Sequence, residues 1–412
     1  MDPIVIIGAS HAGVAAAAGL RKAGYAGELL LVSAETALPY HRPPLSKAYL
    51  KAEKSAEQIA LRGEKFYTDS DITLLRGARA TAIDPAAKTV VIDGVARAYS
   101  SLILATGARA RALPGTETIT QEVGTLRDLD DANALRKVID RGGKLVIVGG
   151  GFIGLEVAAT AVQAGLQVTV IEPLPALLRR ALPAEVSDFL LAHHRAQGVD
   201  IRLNTGLARI EADGPRARAV LLTDGARLEA DHILVGIGSA ARLELAESAG
   251  LETYMGGIKV DALGRTSAPD IYALGDCATQ QNPWFGDWLR LESVQATTDQ
   301  AAATAFALCG KADQARPHET PPWFWSDQYA LKLQMVGFVT EGVQTLLRGA
   351  IGEAGFSVLH LRDDQLVAAF SVNRAADHIA ARRLIALGAR LDPMRAADPT
   401  IPLAKCAEEM PA

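Results

Sequence analysis

Ile4-Val5-Ile6-Ile7-Gly8-Ala9-Ser10-His11-Ala12-Gly13 is the stretch whose reading decides the fold. A short apolar run, a glycine-punctuated turn and an alanine-rich segment to Leu20 read as strand, phosphate loop and helix. Gly8 allows the tight turn after the strand, and Gly13 lets the helix pack closely on it. Between them the backbone N–H groups of the helix N-terminus favour an anion such as a pyrophosphate. Two downstream features strengthen this reading. Glu28–Glu35 reads as a second apolar strand ending in a carboxylate, and Glu35 stands 22 residues after Gly13. A dinucleotide fold places the acid that holds a ribose hydroxyl there. The pattern then repeats. Leu145-Val146-Ile147-Val148-Gly149-Gly150-Gly151-Phe152-Ile153-Gly154 is strand and loop with a full GxGxxG, followed by a helix to Gly165 and the strand Gln167–Ile171, which ends at Glu172. Two such units point to two dinucleotides rather than to two structural turns.

A chain of 412 residues is sized for two to three domains. Its 49% hydrophobic and 22% charged content is that of a soluble globular enzyme. A formal net charge of −5 and the lack of a basic run argue against a nucleic-acid partner. The apolar N-terminus begins with Asp2, lacks a basic leader and is needed as a strand, so it does not read as a signal peptide. Glu156 interrupts the best apolar stretch, so no membrane span is expected. Cys277, Cys309 and Cys406 form an odd, widely spaced set that fits reduced thiols in a cytoplasmic protein.

Along the chain, Pro43 and Pro44 are expected to impose a stiff extended loop that delivers Arg42 and Lys47, with a helix beginning near Ser46. Such a loop suits an anionic cofactor; a surface turn with solvated charges is the other use of it. Short strands are expected at Ile72–Leu75, Ala80–Ile83, Thr89–Ile92 and Ser101–Leu104, and a crossover at Leu113-Pro114-Gly115. A polar helix is expected over Leu129–Asp140. Asp200–Glu229 alternates like a small antiparallel sheet, and Ile233–Gly238 closes that domain. Ser267–Asp276 reads as a strand ending in an acid, before a helix over Ser293–Leu308. From about Lys311 the character changes, with Pro321-Pro322-Trp323-Phe324-Trp325, further strands and a helix over Ala375–Leu387.

Four motifs together resemble the NADH-dependent ferredoxin reductases of bacteria, of the putidaredoxin reductase type. They are Gly8–Gly13, Arg42-Pro43-Pro44-Leu45-Ser46-Lys47, Val148–Glu156 and Ala273-Leu274-Gly275-Asp276-Cys277-Ala278. Pro322-Trp323-Phe324-Trp325-Ser326-Asp327-Gln328-Tyr329 adds a segment specific to that subgroup, and the likeness runs over nearly the whole chain. The resemblance implies an α/β protein with two Rossmann-like, glutathione-reductase-like dinucleotide domains and an α+β C-terminal domain. It would assign residues 1–110 and 239–312 to FAD, 111–238 to NAD and 313–412 to an interface domain. Carried over by position, Gly8, Ala12 and Gly13 would contact the FAD pyrophosphate and Glu35 the adenosine ribose. Arg42 and Lys47 would line the flavin side, Ala80 would offer backbone atoms to the adenine and Arg127 would reach in from the linker. Asp276 would bind the ribityl chain or phosphate, and Val294 would place an amide near the pyrimidine edge. NADH would take Gly149, Gly151, Ile153, Gly154 and the Gly236 turn. Ser10 departs from the fingerprint, standing where its middle glycine belongs, and Ser239-Ala240-Ala241-Arg242 replaces a common Pro-Asn pair.

Glu172 ends its strand where a carboxylate accepts both ribose hydroxyls and repels a 2′-phosphate, which favours NADH over NADPH; Arg179 and Arg180 lie beyond the strand end. Relatives that reduce disulfides hold a cysteine pair, or one cysteine near the position of Lys47, and neither occurs here. Cys277 reads as a small packing residue. The expected activity is therefore hydride transfer from NADH to FAD, then single electrons to a [2Fe–2S] ferredoxin that serves an oxygenase, of the cytochrome P-450 type. Lys47 would stabilise the anionic reduced flavin and pair with Glu156, for which a plain helix-face charge is the other reading. Trp325, with Trp323, either shields the exposed flavin face or belongs to the C-terminal core. Arg62, Arg290 and Lys332 are candidates for a basic docking patch toward an acidic ferredoxin. No metal site and a monomeric state are expected. A rubredoxin reductase, an NADH oxidase and a flavin-based redox sensor are the rival readings of the same fold.

Overall fold

The computed structural model describes residues 2–339, 341–353 and 355–408. The chain forms two compact units. The first comprises Met1–His41, Lys54–Arg109 and Ser239–Pro322, the second Arg42–Glu53, Ala110–Gly238 and Trp323–Ala412.

In the first unit five parallel strands run in the order Ile271–Ala273, Ser101–Leu104, Ile4–Ile7, Leu29–Ser33, Ile72–Arg76. Ile4–Ile7 and Leu29–Ser33 are buried at every position. Central parallel strands are covered on both faces, which is why they read as unbroken apolar runs. The shared direction brings Gly8, Glu35, Ala105 and Asp276 to one edge of the sheet, beyond the strands' carboxyl ends. Helix His11–Ala23 packs on helix Val294–Leu308 through small residues: a Cβ on Gly19 would stand 3.1 Å from the Ala305 Cβ.

In the second unit a parallel sheet runs Asp200–Arg202, Gln167–Ile171, Lys144–Val148, His232–Val235, Val123–Gly124. Helix Phe152–Gln163 follows its central strand. The C-terminal part is a five-stranded antiparallel sheet ordered Trp323–Gln328, Leu331–Gly337, Gln365–Val372, Phe356–Arg362, Gln344–Arg348. Its Leu333, Met335, Phe356, Val358 and Phe370 share a core with Val186 and Leu190 of helix Ala184–Ala196. Burying each such side chain stabilises the fold by about 1.5–3 kcal/mol.

Four expectations need correction. Pro43–Ser46 is a single 3₁₀ turn rather than an extended loop, and no helix begins at Ser46. Proline's fixed φ suits a first helical turn, where its missing N–H has no acceptor to lose. The second strand stops at Ser33, two residues short of Glu35. Asp200–Arg202 is an edge of the parallel sheet, and the antiparallel piece is only Leu207–Asp213, Arg216–Leu222 and Arg227–Glu229. The strand before Asp276 is Ile271–Ala273, and Asp276 itself sits in the 3₁₀ turn Gly275–Cys277. No helix among the described residues is long and apolar enough to cross a membrane.

Candidate functional site

The two glycine loops are built alike. Gly8 and Gly149 both have φ +109°, a conformation that glycine adopts at no steric cost. A Cβ on Gly8 would lie 2.1 Å from the Ala105 carbonyl oxygen, and one on Gly149 would lie 2.5 Å from that of Gly236. A Cβ on Gly13 would meet the Gly8 carbonyl at 1.8 Å, and one on Gly154 that of Gly149 at 2.3 Å. In both units the helix is thus seated on the loop backbone itself. Ala12 and Gly13 stand in the first turn of their helix, where amides have no intrahelical acceptor. This cradle fits a pyrophosphate in the first unit and again in the second.

Ser10 is the N-cap of its helix, at φ −98° and ψ −157°, an extended conformation open to any residue. Its counterpart Gly151 has φ −80° and ψ 177°, and a Cβ there would come no closer than 3.9 Å to the Gly236 oxygen. The missing middle glycine therefore leaves the loop geometry intact.

In the first unit, Glu35 accepts a hydrogen bond from the Tyr40 hydroxyl, a partner that sequence reasoning missed. Asp276 lies next to Gly275, whose amide donates to Gln300 at 2.8 Å. The Asp276 carbonyl accepts from Arg290 at 2.9 Å. Val294 opens its helix behind Ser293, whose hydroxyl accepts from the Ala296 amide at 3.0 Å. Ala80 starts strand Ala80–Asp84. Cys277 is fully buried, its thiol directed at the Leu274 and Leu104 carbonyls, and burial pushes its pKa up. That is the environment of an inert packing cysteine. All three cysteines are free.

In the second unit, Glu172 follows its strand and accepts from the Gly150 amide at 2.8 Å and the Leu174 amide at 3.0 Å. Its carboxylate is thereby held at the glycine loop. Ile153, Leu174 and Ile237 are large apolar residues left exposed. They follow three adjacent parallel strands at their carboxyl ends, the crevice where open α/β sheets bind their ligands. Together with Gly149, Gly151, Gly154 and Gly236 they make an apolar rim around an anion-binding loop. Arg179 and Arg180 are exposed beyond it.

The second unit also carries a buried ionic centre. Lys47 Nζ lies 2.6 Å from Glu156 Oε2, and Glu156 is 3% exposed. Ser46 donates to the same carboxylate, Ser326 donates to Oε1 at 2.7 Å, and Lys47 also reaches the Pro43 carbonyl at 3.2 Å. Thr160 Oγ1 donates to the Ser46 carbonyl at 3.1 Å, so the 3₁₀ turn is pinned to the helix that bears Glu156. Arg42 donates to the Arg127 carbonyl at 2.7 Å, and the Arg127 amide donates to Asp131 at 2.8 Å. Strand Trp323–Gln328 sorts its side chains by parity. Phe324 and Ser326 face helix Phe152–Gln163, the Phe324 ring tilted against Phe152 with centroids 5.0 Å apart, and Gln328 reaches His194 at 2.7 Å. Trp323 and Trp325 lie on the opposite side, 5.6 Å apart, with Arg382 4.5 Å over the Trp323 ring. Of the candidate docking residues, Arg290 is partly exposed and paired with Glu292 at 2.5 Å. Arg62 and Lys332 are exposed.

The chain matches the family model described as "pyridine nucleotide-disulphide oxidoreductase" over residues 2–301, and that described as "reductase C-terminal" over 323–407. It is 40% identical over 408 residues to the putidaredoxin reductase of Pseudomonas putida, covering 98% of this chain and 96% of that one. It is 42% identical to the rhodocoxin reductase of Rhodococcus erythropolis, covering 96% and 92%. Among solved structures it is similar to the covalent putidaredoxin reductase–putidaredoxin complex. That likeness has a TM-score of 0.93 and 39% identity, covering 98% of each chain.

Proposed function

Because the chain belongs to the pyridine nucleotide-disulphide oxidoreductase family, we propose that it is an NADH-dependent ferredoxin reductase. It would act as a cytoplasmic monomer that passes electrons to a [2Fe–2S] ferredoxin serving an oxygenase of the P-450 type. The observation that carries this reading is the buried Lys47–Glu156 pair at 2.6 Å, in a segment, Arg42–Lys47, that contains no cysteine. A cation on a rigid turn stands where a disulfide reductase needs a thiol. The reductases named above, which match the chain nearly end to end, support the same activity.

Residues 1–110 and 239–312 would hold FAD and residues 111–238 NADH, leaving 313–412 as the interface domain. FAD, when bound, supplies the conversion of a two-electron hydride into single electrons. The protein's own share is binding and charge. Gly8, Ala12 and Gly13 hold a pyrophosphate on the first loop, with Glu35 as the ribose acceptor and Ala80, Asp276 and Val294 along the rest of the nucleotide. Gly149–Gly154 and Glu172 hold the exchanging NADH, and a 2′-phosphate would meet the Glu172 carboxylate. Lys47 offers its ammonium where negative charge gathers during hydride transfer, while Glu156 fixes that ammonium in place. Arg42 and Arg127 add positive charge, and Trp325 shields the reacting face.

Stopped-flow mixing of the FAD-loaded protein with NADH, then with a [2Fe–2S] ferredoxin, tests this reading. Rapid bleaching followed by stepwise single-electron reoxidation is expected. No bleaching by NADH, or reoxidation by rubredoxin alone, would overturn it.

A further inference from the structure

Behind Glu156 lies a line of buried polar side chains that the hydride-transfer reading does not use. Ser326 Oγ, fully buried, donates to Glu156 Oε1 at 2.7 Å. Gln328 Nε2 donates to Ser326 Oγ at 3.0 Å. Gln328 Oε1 lies 2.7 Å from His194 Nε2, and the Tyr329 hydroxyl lies 3.1 Å from His194 Nδ1. Ser326, Gln328 and His194 are at most 2% exposed. The line thus runs from helix Ala184–Ala196 through the first C-terminal strand to helix Phe152–Gln163, all within the second unit.

Its direction follows from elementary chemistry. A carboxylate beside an ammonium only accepts, so Ser326 must spend its single proton on Glu156. Ser326 must then accept from Gln328, which turns the amide nitrogen toward it and the amide oxygen toward His194. His194 must in turn carry its proton on Nε2 and accept on Nδ1 from Tyr329. We propose that Ser326, Gln328, His194 and Tyr329 are positioning residues for the Lys47–Glu156 pair, a one-way chain of hydrogen bonds whose every proton is set by the Glu156 charge. Such a chain holds the carboxylate in one rotamer and strengthens the donor that reaches it. It orients rather than conducts, because an amide in the line cannot pass a proton on without becoming an imidic acid. Burial keeps His194 neutral, its pKa pushed down to about 4, as the chain requires.

This inference rests on the proposed role of the Lys47–Glu156 pair only for its effect on rate; the proton pattern is tested apart from it. In Glu156→Gln the amide oxygen takes the place that receives Lys47 and Ser46, and its NH₂ faces Ser326. The line must then reverse, and the His194 proton must move from Nε2 to Nδ1. Ring-¹⁵N spectra of histidine-labelled, FAD-loaded full-length protein read this directly. The expected result is an Nε2–H His194 in the wild type and an Nδ1–H His194 in Glu156→Gln. An unchanged tautomer, or Nδ1–H in the wild type, would overturn the chain. In stopped flow, Ser326→Ala is expected to lower the limiting rate of flavin bleaching about tenfold, the worth of a hydrogen bond to a charged acceptor. Its NADH saturation point stays unchanged, and Ser326→Thr restores most of the rate. A tautomer switch with undiminished rates in Ser326→Ala, Glu156→Gln and Lys47→Met would keep the chain and refute the role of the pair. Slow Lys47→Met and Glu156→Gln with an unmoved tautomer would do the reverse.

Discussion

A methyl group on Gly13 would stand 1.8 Å from the Gly8 carbonyl oxygen, and backbone cannot yield that far without moving the helix. Gly13→Ala is therefore expected to emerge without bound flavin, read as the ratio of flavin to protein absorbance, whereas Ser10→Gly keeps the wild-type ratio. Equal flavin content in all three proteins would show that the first loop is not the flavin cradle. A second residue-scale effect concerns pH. Burial, aided by Arg382, pushes His378 down to about 4, and burial does the same to His194. An unfolded histidine titrates near 6.5. Between these values unfolding takes up protons, so neither residue weighs on stability above pH 6.5, and both erode it as the pH falls from 6.5 toward 4. The loss is roughly 3 kcal/mol for each at the acid end. Urea midpoints at pH 7 and pH 5 should separate more widely for the wild type than for His378→Leu. Equal separations would mean that His378 protonates as easily in the fold as in the unfolded chain.

Elements were legible where a local rule dominates. The helix expected over Ser293–Leu308 runs from Val294 to Leu308 with Ser293 as its N-cap, and the unbroken apolar runs are the buried parallel strands. Elements were misread where the rule was too coarse, as at Pro43–Ser46, since proline bars a helix interior but suits its first turn. The C-terminal elements are joined by a clamp no periodicity displays. Arg348, 1% exposed, bonds Asp377 at 3.0 Å and the Ala396 carbonyl at 3.1 Å, and Arg374 shares Asp377 at 2.8 Å. Removing one partner from a buried pair strands the other. Arg348→Met should cost about 3–5 kcal/mol in denaturant unfolding, and a loss below about 1 kcal/mol would mean that Arg374 and backbone suffice to hold Asp377.

At the scale of the whole molecule, the acidic formal charge of −5 would make docking to the proposed ferredoxin, if that partner is acidic, depend on local basic groups. Lowering the screening length from about 30 Å near 0.01 M salt to about 3 Å near 1 M should slow ferredoxin reduction steeply. Flavin bleaching by NADH should change far less. Parallel salt dependences of the two steps would show that no basic patch guides the partner.

Two glycine loops behind unbroken apolar strands are local features, and they pointed to the α/β class and the number of dinucleotide loops from sequence alone, whereas the reaction family came from the motif resemblance read together with the missing cysteine pair. The pairing of Lys47 with Glu156 was also within reach, because motif resemblance carries both positions. What only the tertiary structure decided is the surroundings of that pair. Ser46, Ser326, Gln328 and His194 are unremarkable polar residues on a turn, a strand and a separate helix. Folding removes their water, and a buried donor or acceptor must then find a protein partner, so the fold turns scattered side chains into one ordered chain.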